Sequence, residues 1–363
     1  MASCNFCNIT PKESLKSCVC GKVSYCSKDC QVKDWKNHKP SCPPFVIRES
    51  PGKGRGLFAT RKIKAGQVIL EEYPLMTVSG GGMSVGEFRD KYYPNLSEEI
   101  KAEILQLNDP AEDIKTLDTD TVEKLARKNP VLMFYKKADT DEIRKIFRIF
   151  YGNSYQICEV ADLYDTTEGG LYNKISLINH SCSPNATLAW VMGDFKRKQV
   201  RAFRIIEKDE EIVASYLKSD FIYVSRESRR QELLETYGFP CQCSECSREG
   251  EDLEENERMR AEIREKGEEG NQLVGRLGFE PVTRKSVKKA MKLTQQQTKL
   301  IQKLNIWAGV VPAMIEFYRA ANVARRMGIP CENDPDIFKQ EALKYAKLFG
   351  DDYLHLYNAQ LNK

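Results

Sequence analysis

The sequence predicts an α+β protein in three parts: a cysteine-rich module, a β-rich domain with a helical insertion, and an all-α C-terminal region. Three observations support this class. Seven of the 13 cysteines lie between Cys4 and Cys42, in a stretch too short to bury a core of its own. Short β-rich runs broken by glycine follow, and they return after a segment of helical periodicity. Residues 280–363 read as several helices.

Composition and charge describe an ordinary globular chain. The formal charge of +4 comes from 56 basic and 52 acidic side chains, so bulk charge indicates no particular partner. The N-terminus has no apolar run typical of a secretory signal. The longest apolar stretch, Trp307 to Ile315, is far shorter than the ~20 residues of a membrane helix. We therefore expect a monomeric protein of the cytoplasm and nucleus, with no membrane partner.

The N-terminal module has the spacing of a metal-binding domain. Without a secretory signal, clustered cysteines favour metal binding over disulfides. The eight side chains of four ligand pairs can coordinate two zinc ions tetrahedrally, with no ligand left over. Metal binding can also supply the folding energy that so small a module lacks. Complete sets of four leave no open position, which argues against a catalytic zinc. The alternative, ordinary buried cysteines, does not explain the paired spacing Cys4-x2-Cys7, Cys18-x-Cys20, Cys26-x3-Cys30 and His38-x3-Cys42.

The β-rich domain begins with short strand-like runs between Val46 and Val78. The glycine turn Gly52–Leu57 lacks the G-x-G-x-x-G spacing, and β-like residues rather than a helix follow it. These two features exclude a dinucleotide-binding loop. The segment Ser79–Gly82 is predicted to be a flexible loop.

Helical periodicity then covers residues 97–151. Ser97 is a predicted N-cap, and Asp139 precedes Glu142 at capping-box spacing. One helical face carries Ile143, Ile146, Phe147 and Phe150.

Strand-like segments return after this helical stretch, and a capped helix from Ser225 to Tyr237 follows them. The segment Arg248–Gly270 has 15 charged residues of 23 and is expected to be an exposed helix or linker. The predicted strands are Lys174–Ile178, Thr187–Met192, Val200–Ile206 and Ile212–Tyr216.

Three downstream motifs carry a family resemblance. In their order and spacing they resemble the SET domain of the SMYD lysine methyltransferases. The N-terminal module resembles the MYND finger through Tyr25–Gln31 and Trp35–His38. The resemblance covers roughly residues 1–247, and its most specific parts are Asn-His-Ser-Cys and Cys-x-Cys-x2-Cys. The motifs are Asn179–Asn185, Glu210–Tyr216 and Tyr237–Cys246.

The resemblance implies a domain organisation. Residues 1–43 are expected to form the MYND zinc finger, and residues 44–240 the SET domain, with a helical insert at about 80–151. Residues 241–247 are expected to be a zinc-binding tail, and residues 248–363 a helical region.

The resemblance also implies how the metal ligands are grouped. The finger would interleave its pairs, so that each zinc ion takes two ligands from each of two distant segments. One group would be Cys4, Cys7, Cys26 and Cys30, and the other Cys18, Cys20, His38 and Cys42. A third zinc ion would join Cys182 to Cys241, Cys243 and Cys246.

The resemblance assigns further residues to S-adenosylmethionine. The turn residues would approach its methionine end through backbone groups, two asparagines and a histidine would hold its polar groups, and an aromatic ring would cover its adenine. His180 looks like a base, but in this fold it more often serves structure and cofactor contact. The cofactor-binding residues are expected to be Lys53, Gly54, Arg55, Gly56, Asn153, Asn179, His180 and Phe239.

Tyr216 is expected to be the active-site tyrosine, with Tyr155 and Tyr237 beside it in the lysine channel. A sulfonium methyl is already activated, so the enzyme must align a neutral amine for in-line attack. Removing the proton from a lysine of pKa ~10.4 costs roughly 4–5 kcal/mol at pH 7. A narrow apolar channel beside a positive sulfonium lowers that cost, because it disfavours the ammonium form. No catalytic metal is required.

The chain departs from the family pattern at three points. Cys18-x-Cys20 is one residue shorter than the common spacing. The finger precedes the glycine turn, as in divergent arthropod-type members, whereas vertebrate members carry it inside the SET domain. The C-terminal region is also shorter than the helical-repeat domain of the family.

Three function classes follow from these features. The first is a methyltransferase acting on lysine side chains of histone or other proteins, with proline-containing peptides as ligands of the finger. The second is a catalytically silent adaptor that recruits protein partners in transcriptional regulation. The third, a nucleic-acid-binding zinc protein, is least favoured. Seven lysines in residues 1–42 allow weak phosphate contact, but solvated surface lysines explain them more simply.

Overall fold

The computed structural model describes most of the chain. No helix in the described ranges is both long enough and apolar enough to cross a membrane. The described residues are 3–10, 15–18, 20–79, 83–110, 141–157, 168–191, 193–217, 223–276, 282–304, 306–330, 335–350, 354 and 357–358.

The N-terminal module pairs a minimal hairpin with one helix. Strands β1 (Lys16–Ser17) and β2 (Ser24–Tyr25) are antiparallel, and helix α1 (Lys28–His38) follows them. Ser27 caps α1 by accepting a hydrogen bond from the Cys30 N–H. A short 3-10 turn then carries the chain into the β-rich domain.

The β-rich domain consists of three small antiparallel sheets of three strands each, in the orders β11-β4-β3, β5-β10-β9 and β6-β8-β7. Their inward faces, together with the helices of the insert, share one core. The strands are β3 (Phe45–Ser50), β4 (Gly54–Ala59), β5 (Val68–Glu72), β6 (Met76–Ser79), β7 (Ser154–Ile157), β8 (Glu168–Leu171), β9 (Ala186–Val191), β10 (Asp194–Ala202) and β11 (Glu211–Ile212).

The described part of the helical insertion contains α2 (Val85–Lys91), α3 (Glu98–Ile104) and α4 (Glu142–Asn153). The cap at Ser97 is confirmed, since its side chain accepts from the Ile100 N–H. The expected cap at Asp139 lies outside the described residues, and Asp141 caps α4. The apolar face of α4 is confirmed. Ile146, Phe147 and Phe150 are buried, and Ile143 packs against the same core.

The strand prediction for Lys174–Ile178 is wrong, because Ile175–Leu177 forms a 3-10 turn. The physical reason is Glu72, whose carboxylate accepts from the N–H groups of Lys174 and Ile175 at 2.9 and 2.7 Å. These two backbone donors therefore bind a side chain instead of a neighbouring strand.

The other strand predictions are corrected at their ends. The strand predicted at Thr187–Met192 is confirmed as β9, whereas β10 begins at Asp194 and ends at Ala202, before the predicted Ile206. Only the first residue of the segment Ile212–Tyr216 belongs to β11. Ala214 instead forms an isolated parallel bridge with His180.

The C-terminal region is all helical where the structure describes it. The segment predicted as an exposed helix or linker is a helix with a buried face that includes Met259 and Ile263. Ring contact between Phe203 and Phe349, at 4.8 Å, joins this region to the β-rich domain. Helix α5 (Arg226–Tyr237) precedes this region, whose helices are α6 (Gly250–Arg276), α7 (Arg284–Lys303), α8 (Trp307–Arg326) and α9 (Pro335–Phe349). The predicted α+β class is confirmed.

Candidate active site and metal centres

The metal-ligand side chains of the N-terminal module form two groups. Within each group the ligand atoms all lie within 4.8 Å of one another. The groups are interleaved as the resemblance implied, because the hairpin and helix α1 bring the four sequence pairs together crosswise. One group is Cys4, Cys7, Cys26 and Cys30, and the other is Cys18, Cys20, His38 and Cys42.

The distances between these atoms suit tetrahedral coordination. A zinc–sulfur bond of ~2.3 Å places two sulfurs of a tetrahedron about 3.8 Å apart. Cys7 and Cys26 are 3.6 Å apart, and Cys18 and Cys42 are 3.8 Å apart, too far for disulfides. His38 Nε2 lies 3.3 Å from the sulfurs of Cys18 and Cys20.

A third group, all of it buried, joins Cys182 to the three cysteines that follow α5. Cys182 Sγ lies 3.6 Å from Cys246 Sγ, again a tetrahedral separation. The Cys182 N–H donates to Cys243 Sγ at 3.4 Å. The four sulfurs are those of Cys182, Cys241, Cys243 and Cys246.

Two buried arginines belong to the same region. Arg229 and Arg260 are almost fully enclosed, and Arg260 pairs with Glu245 at 2.9 Å. In the described part of the chain, Nε and one terminal nitrogen of Arg229 have no hydrogen-bond partner. Leu233, one turn after Arg229, packs against the cysteine group. Enclosed positive charge therefore lies close to a site that gains negative charge when its thiols ionise.

The glycine turn and Asn179 are brought together as expected. The Asn179 side chain donates to the Arg55 carbonyl at 3.1 Å and to Glu211 Oε1 at 2.8 Å. Lys53 pairs with the other oxygen of Glu211 at 3.1 Å. A Cβ on Gly56 would lie 2.6 Å from Glu211 Oε1 and 2.9 Å from Asn179 Nδ2, so any side chain there would displace one of these two groups. Gly54 has a φ of 71°, which favours glycine.

Glu211 is a site residue that was not singled out from the sequence. Its carboxylate connects Lys53 of the turn to Asn179 of the Asn-His-Ser-Cys motif. The available signal was its place in the Glu210–Tyr216 motif.

The ring of His180 is held between Tyr216 and Cys182. The Tyr216 N–H donates to His180 Nδ1 at 3.0 Å, so the neutral ring carries its proton on Nε2. Nε2 lies 3.3 Å from Cys182 Sγ. Burial lowers the pKa of His180 to about 4, so the ring is neutral at pH 7. Both ring nitrogens are thus engaged by protein groups, and no proton-transfer role follows from them.

The backbone groups of His180 are oriented differently from its ring. In its parallel bridge with Ala214, the flanking groups, Asn179 C=O and Ser181 N–H, make the hydrogen bonds. The N–H and C=O of His180 itself therefore point away from Ala214. A contact from His180 to a ligand would use these backbone groups.

An aromatic cluster lies beside the third cysteine group. The Tyr216 ring lies 5.1 Å from that of Tyr237 and 6.2 Å from that of Phe239. The Tyr216 hydroxyl donates to the Ile178 carbonyl at 2.7 Å, and the Tyr237 hydroxyl donates to the Tyr216 carbonyl at 3.1 Å. The structure thus brings together three of the rings that were singled out from the sequence.

Tyr155 lies on β7, where it packs against the main core close to this cluster. Burial raises the pKa of its phenol well above the usual value, and the nearby phenols of Tyr216 and Tyr237 raise it further. Its hydroxyl lies 3.5 Å from the Ile175 carbonyl. All three predicted channel tyrosines therefore share one region.

Asn153 is the last residue of α4. Its side chain donates to the carbonyls of Asn108 and Ile149, each at 2.8 Å. Arg55 donates to the Gln106 carbonyl. The segment after α3 therefore binds the side chains of two predicted cofactor residues.

Comparisons with known proteins agree with this description. The MYND finger family matches residues 4–42, and the SET domain family matches residues 54–217. Histone-lysine N-methyltransferase ASHR1 of Arabidopsis thaliana is 30% identical over 67% of this chain and 46% of its own length. N-lysine methyltransferase SMYD2 of Homo sapiens is 30% identical over 69% of this chain and 51% of its own length.

The chain thus spans about half the length of the curated relatives it matches. A solved SET domain of LSMT, bound to lysine and AdoHcy, aligns with 93% of this chain and 92% of its own. That alignment has 12% identity and a TM-score of 0.34. The two matched domains and the curated relatives support one conclusion: the chain belongs to the SMYD family, whose members combine a MYND finger with a SET domain.

Proposed function

We propose that this chain is an S-adenosylmethionine-dependent protein-lysine methyltransferase that carries three zinc ions. The observation that carries the proposal is a convergence in one region. Four features lie beside the third cysteine group: the glycine turn, Asn179, the His180 backbone groups that point away from Ala214, and the ring cluster around Tyr216. Two curated relatives are named as lysine methyltransferases, which agrees with this assignment.

The proposed cofactor site has a cationic side and an aromatic side. Lys53 and Arg55 lie at the turn, where backbone groups would accept the methionine end. The His180 N–H and C=O suit an adenine edge, which offers one acceptor and one donor. Phe239, whose ring lies 6.3 Å from His180, would cover the base. When bound, the cofactor supplies an electrophilic methyl group.

The chain's own part in the reaction is alignment and desolvation. Three phenols around one channel exclude water and disfavour a charged ammonium. The Tyr216 hydroxyl is fixed by the Ile178 carbonyl, so this oxygen and ring are held in place before substrate enters. Carbonyl and phenol oxygens can receive the polarised methyl C–H groups and the amine. No residue here has to act as a metal-bound base.

We also propose zinc as the metal at all three cysteine groups. Thiolate with imidazole, in closed sets of four, is the donor chemistry of structural zinc. Four thiolates on one zinc ion leave a net negative charge at the third site. The enclosed Arg229 and Arg260 place positive charge near that site, in addition to their pairing with Glu257 at 3.9 Å and Glu245 at 2.9 Å.

The partners and location expected from the sequence are part of the proposal. Protein lysines are the proposed substrates, proline-containing peptides the proposed ligands of the finger, and cytoplasm and nucleus the proposed location. The protein is proposed to act as a monomer.

Methylation of a broad peptide and protein array with labelled S-adenosylmethionine tests the activity. Label on lysine-containing spots is the expected result. Tight cofactor binding without any label would instead support the silent adaptor, and absence of cofactor binding would refute the proposed site.

A change at the glycine turn tests where the cofactor binds. Gly56→Ala places a methyl group against Asn179 and Glu211, so we expect S-adenosylmethionine affinity to fall by about tenfold or more, because the turn or Asn179 must move. Calorimetric titration measures the change. Gly275→Ala is the matched control, since nothing lies within 4 Å of its added Cβ. Equal affinities for both variants would exclude the turn from the site.

The hydroxyl of Tyr155 is expected to limit the number of methyl groups added. It occupies channel volume and can hold water or the amine near the Ile175 carbonyl. Tyr155→Phe should shift products toward higher methylation, as measured by mass spectrometry of a methylated array peptide. An unchanged ratio of mono- to multiply methylated product would remove this role from Tyr155.

A further inference from the structure

Lys198 is a buried cation surrounded by aromatic rings. It lies on β10 and is 3% exposed, although a charged side chain is costly to bury without compensation. Its Nζ lies 4.6 Å from the Trp190 ring, 5.0 Å from the Tyr155 ring and 5.7 Å from the Tyr172 ring. All three distances are within the range of cation–π attraction. The ammonium also donates to the Gln156 carbonyl at 3.3 Å.

This ammonium connects two of the three sheets. Lys198 pairs in register with Trp190 on β9 and with Glu72 on β5. Its ring and carbonyl contacts at Tyr155 and Gln156 belong to β7, in a different sheet. The carboxylate of Glu72 is itself bound by the N–H groups of Lys174 and Ile175.

The contact at Tyr155 concerns a wall of the proposed lysine channel. The Tyr155 hydroxyl reaches its carbonyl partner at 3.5 Å, which is a weak hydrogen bond. The position of this ring is therefore set by what packs on its faces. Lys198 lies over one face, and the Tyr172 ring meets Tyr155 edge-on at 6.3 Å.

We propose that Lys198 is a positioning residue that holds the Tyr155 ring in place and thereby limits how many methyl groups the channel accepts. The inference rests on the proposed methyltransferase function. Each added methyl group widens the amine that must fit beside the channel wall. A wall fixed by an internal cation cannot retreat, whereas a ring without that cation can turn or shift outward.

The test uses the full chain with substitutions at position 198. Lys198→Met keeps the length of the stem and removes the charge, whereas Lys198→Arg keeps a cation able to stack on the rings. Lys196→Met is the matched control, because Lys196 is an exposed lysine on the same strand, paired with Glu168. If Lys198→Met does not fold, Lys198→Gln replaces it, keeping a donor for the Gln156 carbonyl without the charge.

The first readout needs no catalysis. Tyr155 is replaced by 3-fluorotyrosine, and its fluorine NMR resonance reports the environment of the ring. One sharp resonance is expected for the unsubstituted chain, Lys198→Arg and Lys196→Met, and a shifted or split resonance for Lys198→Met. An unmoved resonance in Lys198→Met would overturn the positioning role.

The second readout is the product distribution on the array peptide that is methylated fastest. Lys198→Met should raise the ratio of multiply to singly methylated product by roughly fivefold to tenfold, as expected for loss of a desolvated cation–π contact. Lys198→Arg should keep the ratio of multiply to singly methylated product found with the unsubstituted chain. An unchanged ratio in Lys198→Met, with transfer intact, would refute the limit on methylation.

The two readouts separate this inference from the function on which it rests. If neither the unsubstituted chain nor any variant transfers methyl groups, the proposed function is wrong. The proposed limit on methylation is then wrong as well. The fluorine resonance then still decides whether Lys198 positions Tyr155.

Discussion

Replacing Tyr216 with phenylalanine is expected to lower turnover by about 100-fold or more, the scale seen when one preorganised polar contact to a reacting centre is removed. The hydroxyl is held by the Ile178 carbonyl at 2.7 Å, so its oxygen has a fixed position beside the proposed channel. Cofactor binding should change little, because the ring and the Tyr216 N–H, which donates to His180, both remain. Single-turnover kinetics and a cofactor titration measure the two quantities separately.

Tyr73→Phe is the matched control for this prediction. Tyr73 is 58% exposed, and its hydroxyl binds Asp194 on the surface, so loss of that hydroxyl should leave turnover unchanged. If Tyr216→Phe keeps the unsubstituted rate on a confirmed substrate, Tyr216 is not the active-site tyrosine.

The second large effect concerns the third metal centre. Cys182→Ser should reduce bound zinc from three ions to two per chain and weaken S-adenosylmethionine binding. Cys182 follows Asn179 and His180 closely, and it lies 3.6 Å from Cys246 in the tail behind Phe239. Metal binding therefore ties that tail to the proposed cofactor site. Ordering a free tail costs ~1–2 kcal/mol per residue, so cofactor affinity should fall when the tie is lost.

Cys7→Ser is the comparison for that experiment. It removes a ligand of the finger, so the finger should lose metal while cofactor affinity stays nearly constant. Elemental analysis counts the metal, and calorimetry measures the affinity. Three zinc ions in Cys182→Ser, or an unaltered affinity, would contradict the proposed link.

The spacing of residues close together in the sequence predicted the metal clusters and two features of the helices. Paired cysteines at short separations indicated metal clusters, because two ligands close in sequence can reach the same ion. The cap at Ser97 and the apolar face of α4 followed from helical periodicity. These features depend on residues within a few positions of one another.

Features that depend on distant residues were not predictable in this way. The run Lys174–Ile178 reads as a strand, but Glu72, 102 residues earlier, binds its backbone donors. The ring of His180 lies between Tyr216, 36 residues later, and Cys182, and no local pattern indicated that the ring would bind the Tyr216 N–H. The aromatic surroundings of Lys198 come from β7, from β9 and from the residue after β8, and no local pattern marks that lysine.

The most direct test of the central claim is mass spectrometry of an array peptide after incubation with S-adenosylmethionine that carries a trideuterated methyl group. The account predicts the added mass of that group on a lysine side chain with the unsubstituted chain, and almost none with Tyr216→Phe. A labelled residue other than lysine, or no label despite bound cofactor, would contradict it.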